Sequence, residues 1–470
     1  MDLPCYIGGE PVSGEGEIAV TNPWDGSLVG TVASLTQTDA ERAVATARSA
    51  CCKLTRHERS VILSRARDVF TERADEFAQL ITSESGLCLR DSTYEIGRCR
   101  DVLHFASMEA LRDDGQIFSC DLTEHGKQRK IFTTREPHAA LVAITPFNHP
   151  MNQVLHKVAP AIAAGVPMIL KPSEKTPLSA IRVAEVLYQC GLPGDLLSVV
   201  LGPTAEVAET LVRHPDVEVV AFTGSVAVGK RIAATAGYKR LVLELGGNSP
   251  LIVLEDADLN LAARLAAEGS FRNSGQRCTA VKRILVQESV RADFTKLLVE
   301  NARAFTTGDP MDPRTSVGTV IDEDAAKRLE HLLGQAVADG ARVLLGGDRQ
   351  GASLPATVID EVPRDTSMVC QEAFGPLAPV ISVTGLDDAI EVANSTPYGL
   401  SCGVITDSLD QARRAIRSIR TGTVNINEVP GYRIESSPFG GVKDSGLGVK
   451  EGVIETIKYM TTVKTFSLPW

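Results

Sequence analysis

The stretch Val217-Glu-Val-Val-Ala-Phe-Thr-Gly-Ser-Val-Ala-Val-Gly-Lys230 decides the fold of this chain. It begins as an apolar, β-branched strand, turns at Gly224 and continues as a helix. Such a turn points backbone N–H groups and the positive end of the helix dipole at an anion, commonly a phosphate. It is not G-x-G-x-x-G, and it differs from a P-loop because Arg231 stands where a Ser or Thr would hold magnesium. Nucleotide hydrolysis is therefore disfavoured, and an ordinary strand–helix turn without a ligand is the alternative.

The same alternation of strands and helices extends on both sides of this stretch. Upstream, the pattern predicts a strand at 139–144, a helix at 156–164, a strand at 167–170 and a helix at 177–189. Downstream, a second alternating set runs from 250 to 426. Parallel sheets with crossover helices produce this order, and their ligands lie at the carboxyl ends of the strands. A chain of 470 residues also exceeds one comfortable core, so we expect more than one domain.

Composition and charge exclude several classes of function. The net charge of −11 does not suit binding to a nucleic acid backbone. We find neither an apolar run long enough to span a membrane nor a signal sequence, so a cytoplasmic protein without a membrane partner is expected. The ten cysteines show no C-x-x-C spacing, which predicts a reducing compartment and no metal site.

Helical spacing before the first sheet predicts helices at 38–54, 58–85 and 91–112, the last of which carries Arg98. The sequence predicts an extended polar ribbon at 126–137 and a terminal strand at 459–468. Each would have to pair with the edge of another strand. Pairing with another subunit would supply an edge, so we expect a homodimer or a homotetramer.

The segment Asn273-Ser-Gly-Gln-Arg-Cys-Thr-Ala-Val-Lys282 places one thiol, Cys278, in a small, polar, turn-prone neighbourhood. A reactive cysteine needs positive charge or backbone N–H groups near its thiolate, whereas a structural one is a buried packing residue. Arg277 is expected to lower the pKa of this thiol and to help hold an anionic substrate.

Seven motifs occur in an order and spacing that resembles the aldehyde dehydrogenase superfamily, over nearly the whole chain. They are Thr145-Pro-Phe-Asn-His-Pro150, Lys171-Pro-Ser-Glu174, Phe222-Thr-Gly-Ser225, Glu244-Leu-Gly-Gly247, Gly275-Gln-Arg-Cys278, Glu372-Ala-Phe-Gly-Pro376 and Pro438-Phe-Gly-Gly441. The resemblance implies an α/β fold of two Rossmann-like open domains with a small β oligomerisation flap. The implied segments are 1–125 and 138–245 for the cofactor domain, 246–435 for the catalytic domain, and 126–137 with 456–470 for the oligomerisation strands.

The resemblance also implies a catalytic set. Cys278 is similar to the nucleophile that forms a thiohemiacetal with the aldehyde and, after hydride loss, a thioester. Asn148, with the Cys278 backbone N–H, is similar to the oxyanion hole, and Glu244 to the base that activates water for hydrolysis. The presence of Cys278 and Glu244 disfavours a catalytically inactive member, and Glu244 disfavours transfer of the acyl group to coenzyme A.

For the cofactor, the resemblance implies NAD. Gly224 and Ser225 would hold the pyrophosphate, Lys171 and Glu174 the adenosine ribose, and Glu372 and Phe374 the nicotinamide riboside. The carboxylate of Glu174 would repel a 2′-phosphate, so NADP is possible but less favoured. The complete implied set is Ile144, Thr145, Pro146, Phe147, Lys171, Ser173, Glu174, Gly224, Ser225, Val228, Leu245, Gly246, Glu372 and Phe374.

For the substrate, we expect a small aldehyde with a dianionic head group. The expected contacts are Arg98, His149, Arg277, Thr279 and Arg433. These segments are most similar to the phosphonoacetaldehyde dehydrogenases. The non-phosphorylating glyceraldehyde-3-phosphate dehydrogenases share the Gln-Arg-Cys-Thr segment but carry Tyr in place of His149 and lack the acid at Glu174. Succinate semialdehyde and lactaldehyde stay open, and any one arginine could instead be a solvated surface residue.

Overall fold

The computed structural model describes the whole chain, Met1–Trp470, as twenty strands in four sheets and fifteen α-helices. The strands β1–β20 are Asp2–Leu3, Cys5–Ile7, Glu10–Val12, Gly16–Thr21, Leu28–Ser34, Ile117–Ser119, Arg129–Pro137, Leu141–Ile144, Met168–Lys171, Leu197–Val199, Val219–Gly224, Arg240–Leu245, Pro250–Val253, Arg283–Gln287, Arg342–Leu345, Thr357–Asp360, Leu377–Val383, Ser401–Ile405, Thr423–Ile426 and Thr461–Pro469. The helices α1–α15 are Gln37–Ser49, Arg56–Glu72, Ala74–Ser85, Leu89–Glu109, Asn152–Ala164, Pro177–Gln189, Ala208–Arg213, Val226–Thr235, Leu259–Phe271, Arg291–Ala302, Glu323–Ala338, Ser367–Cys370, Leu386–Asn394, Leu409–Ser418 and Val453–Tyr459.

The first large sheet has the order β12-β11-β8-β9-β10-β2-β3. Its first five strands are parallel, and the two N-terminal strands extend it antiparallel. Residues 219–222 of β11 are buried without interruption, as expected for a parallel strand covered by helices on both faces. The opening stretch thus forms the strand and helix that the sequence predicts.

The second large sheet has the order β15-β16-β17-β14-β13-β18-β19 and is parallel except for the edge strand β15. Successive residues of its strands enter different hydrophobic clusters. Leu251 and Val253 pack in one cluster and Ile252 in the other, because side chains along a strand alternate between faces. Two open α/β sheets covered by helices confirm the predicted fold class.

The small flap sheet has the order β20-β7-β6. β20 pairs antiparallel with β7 along nine residues, from Thr461 opposite Pro137 to Pro469 opposite Arg129. The terminal strand therefore finds a partner within its own chain, and its outer edge stays unpaired. The oligomerisation role of this flap remains a prediction.

The N-terminal helical region departs from the prediction at one point. The helix expected at 58–85 is two helices, α2 and α3, which meet at Arg73 with φ −106° and ψ 24°. Apolar periodicity continues through this break, so spacing alone does not reveal it. None of the helices combines the length and the apolar character needed to cross a membrane.

Candidate active site

A cavity of about 510 Å³ brings together residues from both large sheets and from α4. Of the residues expected from the sequence, sixteen line it: Arg98, Pro146, Phe147, Asn148, His149, Gly224, Ser225, Glu244, Leu245, Gly246, Arg277, Cys278, Thr279, Glu372, Phe374 and Arg433. Ile144, Thr145, Lys171, Ser173, Glu174 and Val228 lie outside this lining, and of these Lys171 and Glu174 are expected to contact the adenosine ribose.

The loop before Cys278 has an uncommon backbone. Asn273, Ser274 and Gly275 follow one another with φ values of 59°, 50° and 67°. Non-glycine residues rarely adopt such angles, and they persist where the surroundings fix them. A Cβ on Gly275 would lie 2.1 Å from the carbonyl oxygen of Gly375, so the loop is tightly packed there. This turn directs the chain into the cavity at Cys278.

Asn148 lies against this loop. Its Nδ2 donates to the carbonyl of Gln276 at 2.8 Å, and its own carbonyl accepts from Asn273 Nδ2 at 3.0 Å. The side-chain amide of Asn148 is thus held against Gln276, which lies two residues before Cys278. The second N–H of Asn148 Nδ2 is left to donate. The arrangement can supply a neutral donor to an oxygen that becomes negative during attack by the thiol.

Glu244 occupies the carboxyl end of β12, buried and facing the same cavity. Neither carboxylate oxygen has a hydrogen-bond partner in the chain. Burial raises the pKa of Glu244 to about 8, and the positive charges of Lys157, Arg433 and Lys450 oppose that rise. A carboxylate that titrates near neutral pH is suited to accept a proton from water.

The environment of the Cys278 thiol differs from the expectation. Burial raises its pKa to about 11, and the main opposing charge is Arg433. Arg277 instead donates through Nη2 to the carbonyls of Glu268 and Gly269, at 3.1 and 2.7 Å, near the C-terminal end of α9. Arg277 still interacts electrostatically with the Cys278 thiol but is not among the main charges that act on it, so the expectation that Arg277 lowers the thiol pKa stays a prediction. Arg433 is the principal cation acting on the thiol.

The three arginines expected from the sequence to contact the substrate, Arg98, Arg277 and Arg433, are held in different ways. Arg98 donates through Nε and Nη2 to Glu435, at 2.5 and 3.2 Å, and Glu435 also pairs with the buried His156 at 2.6 Å. Arg433 makes no hydrogen bond or ion pair within the chain, and its guanidinium carbon lies 4.0 Å from the centre of the Phe439 ring. Arg433 is therefore the guanidinium free to receive a negatively charged ligand.

His149 follows Asn148 and is oriented by α4. Its Nδ1 lies 3.3 Å from one oxygen of Glu95, whose other oxygen accepts the backbone N–H groups of Met151 and Asn152. Burial lowers the pKa of His149, and Glu95 opposes this only in part. His149 is thus a neutral imidazole at neutral pH.

Thr279 completes the expected substrate set. Its side chain packs against the loop that carries Arg433, where a Cβ on Gly431 would lie 2.6 Å from Thr279 Oγ1. Glycine at this position lets the two loops approach closely, so the nucleophile and Arg433 share one wall of the cavity.

Most of the residues expected to bind the cofactor lie at or just beyond the carboxyl ends of parallel strands in the first sheet, whereas Glu372 and Phe374 precede β17 of the second sheet. Ile144 is in register with Lys171 and with Phe222, and Gly224 with Leu245. Ser225 caps α8 by accepting the N–H of Val228 at 3.4 Å. Carboxyl ends of parallel strands beside a helix N-terminus fit a dinucleotide phosphate.

Other members of this set show the same fit. The apolar Val228 is 45% exposed, which suits contact with a flat base. Lys171 pairs with Glu174 at 2.8 Å, and Ser173 Oγ accepts the N–H of Lys175. Thr145 Oγ1 is buried with no partner. Near the thiol, Glu372 accepts the N–H of Gly247 at 3.0 Å, and the Phe374 and Phe147 rings meet edge to face.

Several positioning residues were not identified from the sequence. Asp91 accepts the backbone N–H of Asn273 at 2.6 Å, Glu95 holds the His149 segment, and Glu435 holds Arg98. Lys282 donates to the carbonyls of Gly275 and Ala373. Asp91, Glu95 and Arg98 are spaced four and three residues apart on α4 and therefore lie on one face of the helix. This row of polar residues on a packed helix is the sequence pattern that could have predicted their role.

Comparison with known proteins agrees with this geometry. Residues 11–466 match the model of the aldehyde dehydrogenase family. The chain belongs to the aldehyde dehydrogenase family. It is 38% identical to aspartate-semialdehyde dehydrogenase 1 of Pseudomonas canavaninivorans over 97% of each chain, and 36% identical to sulfoacetaldehyde dehydrogenase of Neptuniibacter caesariensis over 87% and 89% of the two chains.

A solved structure extends the comparison to three dimensions. The NADP-dependent glyceraldehyde-3-phosphate dehydrogenase from Bacillus halodurans C-125, complexed with NADP, superposes with a TM-score of 0.97 at 33% identity, over 100% of this chain and 99% of that chain. This aldehyde dehydrogenase is therefore an oxidoreductase that uses NAD(P) and acts on small aldehydes.

Proposed function

We propose that this aldehyde dehydrogenase oxidises a small anionic aldehyde to its carboxylic acid, with phosphonoacetaldehyde as the substrate and NAD as the preferred cofactor. The observation that carries the proposal is Arg433, an unpaired guanidinium in the same cavity as Cys278. A partly buried cation that makes no close ion pair favours a ligand that brings negative charge.

The chemistry follows from the residues around the thiol. Cys278 loses its proton and adds to the aldehyde carbon, while Asn148 Nδ2 and the Cys278 backbone N–H donate to the oxygen. Bound NAD would accept the hydride that the resulting thiohemiacetal carbon loses, which leaves a thioester on Cys278. Glu244 takes a proton from water, which attacks the thioester carbon, and the thiol leaves to give the free acid.

A small anionic head group is favoured by the distribution of charge. Arg433 offers the N–H donors at the edge of its guanidinium, and Arg98 and Arg277 contribute positive charge from fixed positions. Arginine forks suit the tetrahedral oxygens of a phosphonate. Phosphonoacetaldehyde is short enough to join its phosphonate to an aldehyde carbon beside Cys278.

The preference for NAD rests on Glu174. Its carboxylate is 41% exposed and is held by Lys171 at the carboxyl end of β9. In that position it would accept hydrogen bonds from ribose hydroxyls and repel a 2′-phosphate.

A substrate panel tests the proposal. Phosphonoacetaldehyde, glyceraldehyde-3-phosphate, succinate semialdehyde, lactaldehyde and propanal are each assayed with NAD and with NADP, by NADH or NADPH formation and by identification of the acid. We expect the highest kcat/KM with phosphonoacetaldehyde and NAD. Equal kcat/KM for phosphonoacetaldehyde and propanal contradicts an anionic substrate, and Cys278→Ser is the inactive control.

A further inference from the structure

The orientation of His149 restricts what it can offer a ligand. The Glu95 oxygen 3.3 Å from Nδ1 is a hydrogen-bond acceptor, and the other Glu95 oxygen is fixed by the N–H groups of Met151 and Asn152. A neutral imidazole carries one hydrogen, which this contact places on Nδ1. The remaining nitrogen, Nε2, then carries a lone pair and no hydrogen.

Nothing in the chain satisfies that lone pair. Nε2 makes no hydrogen bond within the protein, while the His149 side chain lines the cavity next to Asn148. Burial and the charges of Arg98 and Arg277 lower the pKa of His149, so the ring stays neutral beside these arginines. The cavity wall thus contains fixed cationic donors and one acceptor.

We propose that His149 Nε2 accepts a hydrogen bond from an O–H of the substrate, so that the cavity selects anionic aldehydes that carry an O–H donor and disfavours sulfonates. This rests on the proposed function and specifies its substrate class. The O–H can belong to a singly protonated phosphonate or to a hydroxyl on the carbon beside the aldehyde. A sulfonate has three oxygens that only accept, so contact with Nε2 sets lone pair against lone pair.

Two pairs of substrates separate these sources. Phosphonoacetaldehyde and sulfoacetaldehyde share a carbon skeleton and differ in the head-group O–H, and lactaldehyde and propanal differ in the hydroxyl. For the wild-type enzyme we expect a kcat/KM ratio of about tenfold or more within at least one pair, since a site built for an O–H rejects the analogue that lacks it. In His149→Phe that ratio should fall to within about threefold.

Glu95→Gln provides a sharper test, because it exchanges one acceptor for a donor. The amide oxygen can still accept from Met151 and Asn152, while the amide nitrogen donates to His149 Nδ1 and moves the ring hydrogen to Nε2. His149 would then offer a donor to the cavity. We expect the ratio of phosphonoacetaldehyde to sulfoacetaldehyde to fall below the His149→Phe value, with sulfoacetaldehyde gaining in absolute kcat/KM.

Binding provides a readout independent of turnover. In the Cys278→Ser background, calorimetric titration with phosphonoacetate and with sulfoacetate should show a dissociation constant ratio that depends on His149. Ratios that do not change in His149→Phe for either substrate pair, with no change in binding, overturn the inference. If neither anionic aldehyde is oxidised better than propanal, the proposed function itself fails, and that outcome is distinguishable from loss of the His149 effect alone.

Discussion

Replacement of Arg433 by Met removes the one guanidinium, among Arg98, Arg277 and Arg433, that makes no hydrogen bond or ion pair within the chain. Methionine keeps an unbranched apolar stem that can still pack on Phe439. Two unit charges 4 Å apart interact by about 4 kcal/mol at an effective dielectric constant of about 20. A loss of about 4 kcal/mol corresponds to a decrease of about 10³-fold in kcat/KM for an anionic aldehyde.

The neutral aldehyde propanal isolates the second role of Arg433. It has no charge to pair, so it should lose only the contribution of Arg433 to the thiolate of Cys278. The pKa of that thiol should rise further, so the part of the pH–rate profile that increases as the thiolate forms should move to higher pH.

Steady-state NADH formation with phosphonoacetaldehyde and propanal measures both effects. Arg314→Met is the matched control, because Arg314 is 89% exposed and pairs only with Asp312. Equal losses for the two aldehydes in Arg433→Met, or a loss of less than about tenfold for the anion, would refute the assignment of Arg433 as the anion contact.

Three further predictions address the base, the cofactor and the nucleophile loop. Since burial raises the pKa of Glu244 to about 8, thioester hydrolysis should accelerate as the pH rises through 8 and the carboxylate forms. Glu244→Ala should remove this pH dependence. In rapid-mixing measurements this variant should release one burst of NADH per site and then stall. Glu174→Gln should reduce the NAD preference in kcat/KM by about tenfold, equivalent to about 1.4 kcal/mol, and an unchanged ratio of NAD to NADP activity would exclude Glu174 from that preference. Gly275→Ala should lower the free energy of unfolding, measured by denaturant titration, by about 1–3 kcal/mol. The cause is that the new Cβ would lie against the Gly375 carbonyl and that residue 275 has a φ of 67°, which alanine rarely adopts. A stability equal to wild type would contradict the tight packing.

The fold was accessible from the sequence because its signal is local and repeated. The strand–turn–helix unit at Val219–Gly224 and Val226–Thr235 occurs where apolar runs and a glycine turn predict it. Asn148 follows β8 and Glu244 lies at the end of β12, so both are at the carboxyl edge of the first sheet, where parallel strands end together. Cys278, in the loop between α9 and β14, enters the same cavity from the second sheet.

The contacts of the charged side chains could not be predicted from the sequence in the same way. The sequence presents Arg98, Arg277 and Arg433 as three equivalent cations, whereas the structure pairs the first with Glu435 and directs the second to backbone carbonyls. These pairings join segments far apart in the chain, with Arg98 and Glu435 separated by 337 residues. A local sequence pattern cannot show a contact between residues so far apart in the chain, so the sequence alone does not distinguish Arg433 from the two arginines that are paired.

The pairing of β20 with β7 has a consequence for synthesis of the chain. Arg129 and Ser467, which contact each other in this sheet, are 338 residues apart. β7 therefore leaves the ribosome long before its partner strand exists, and during that interval the β7 edge now covered by β20 is open to other chains. The largely polar and basic composition of β7, with Arg129, Lys130 and Arg135, opposes aggregation at that edge. Residues that contribute nothing to the chemistry can thus be selected for the roughly tens of seconds of synthesis before β20 is made.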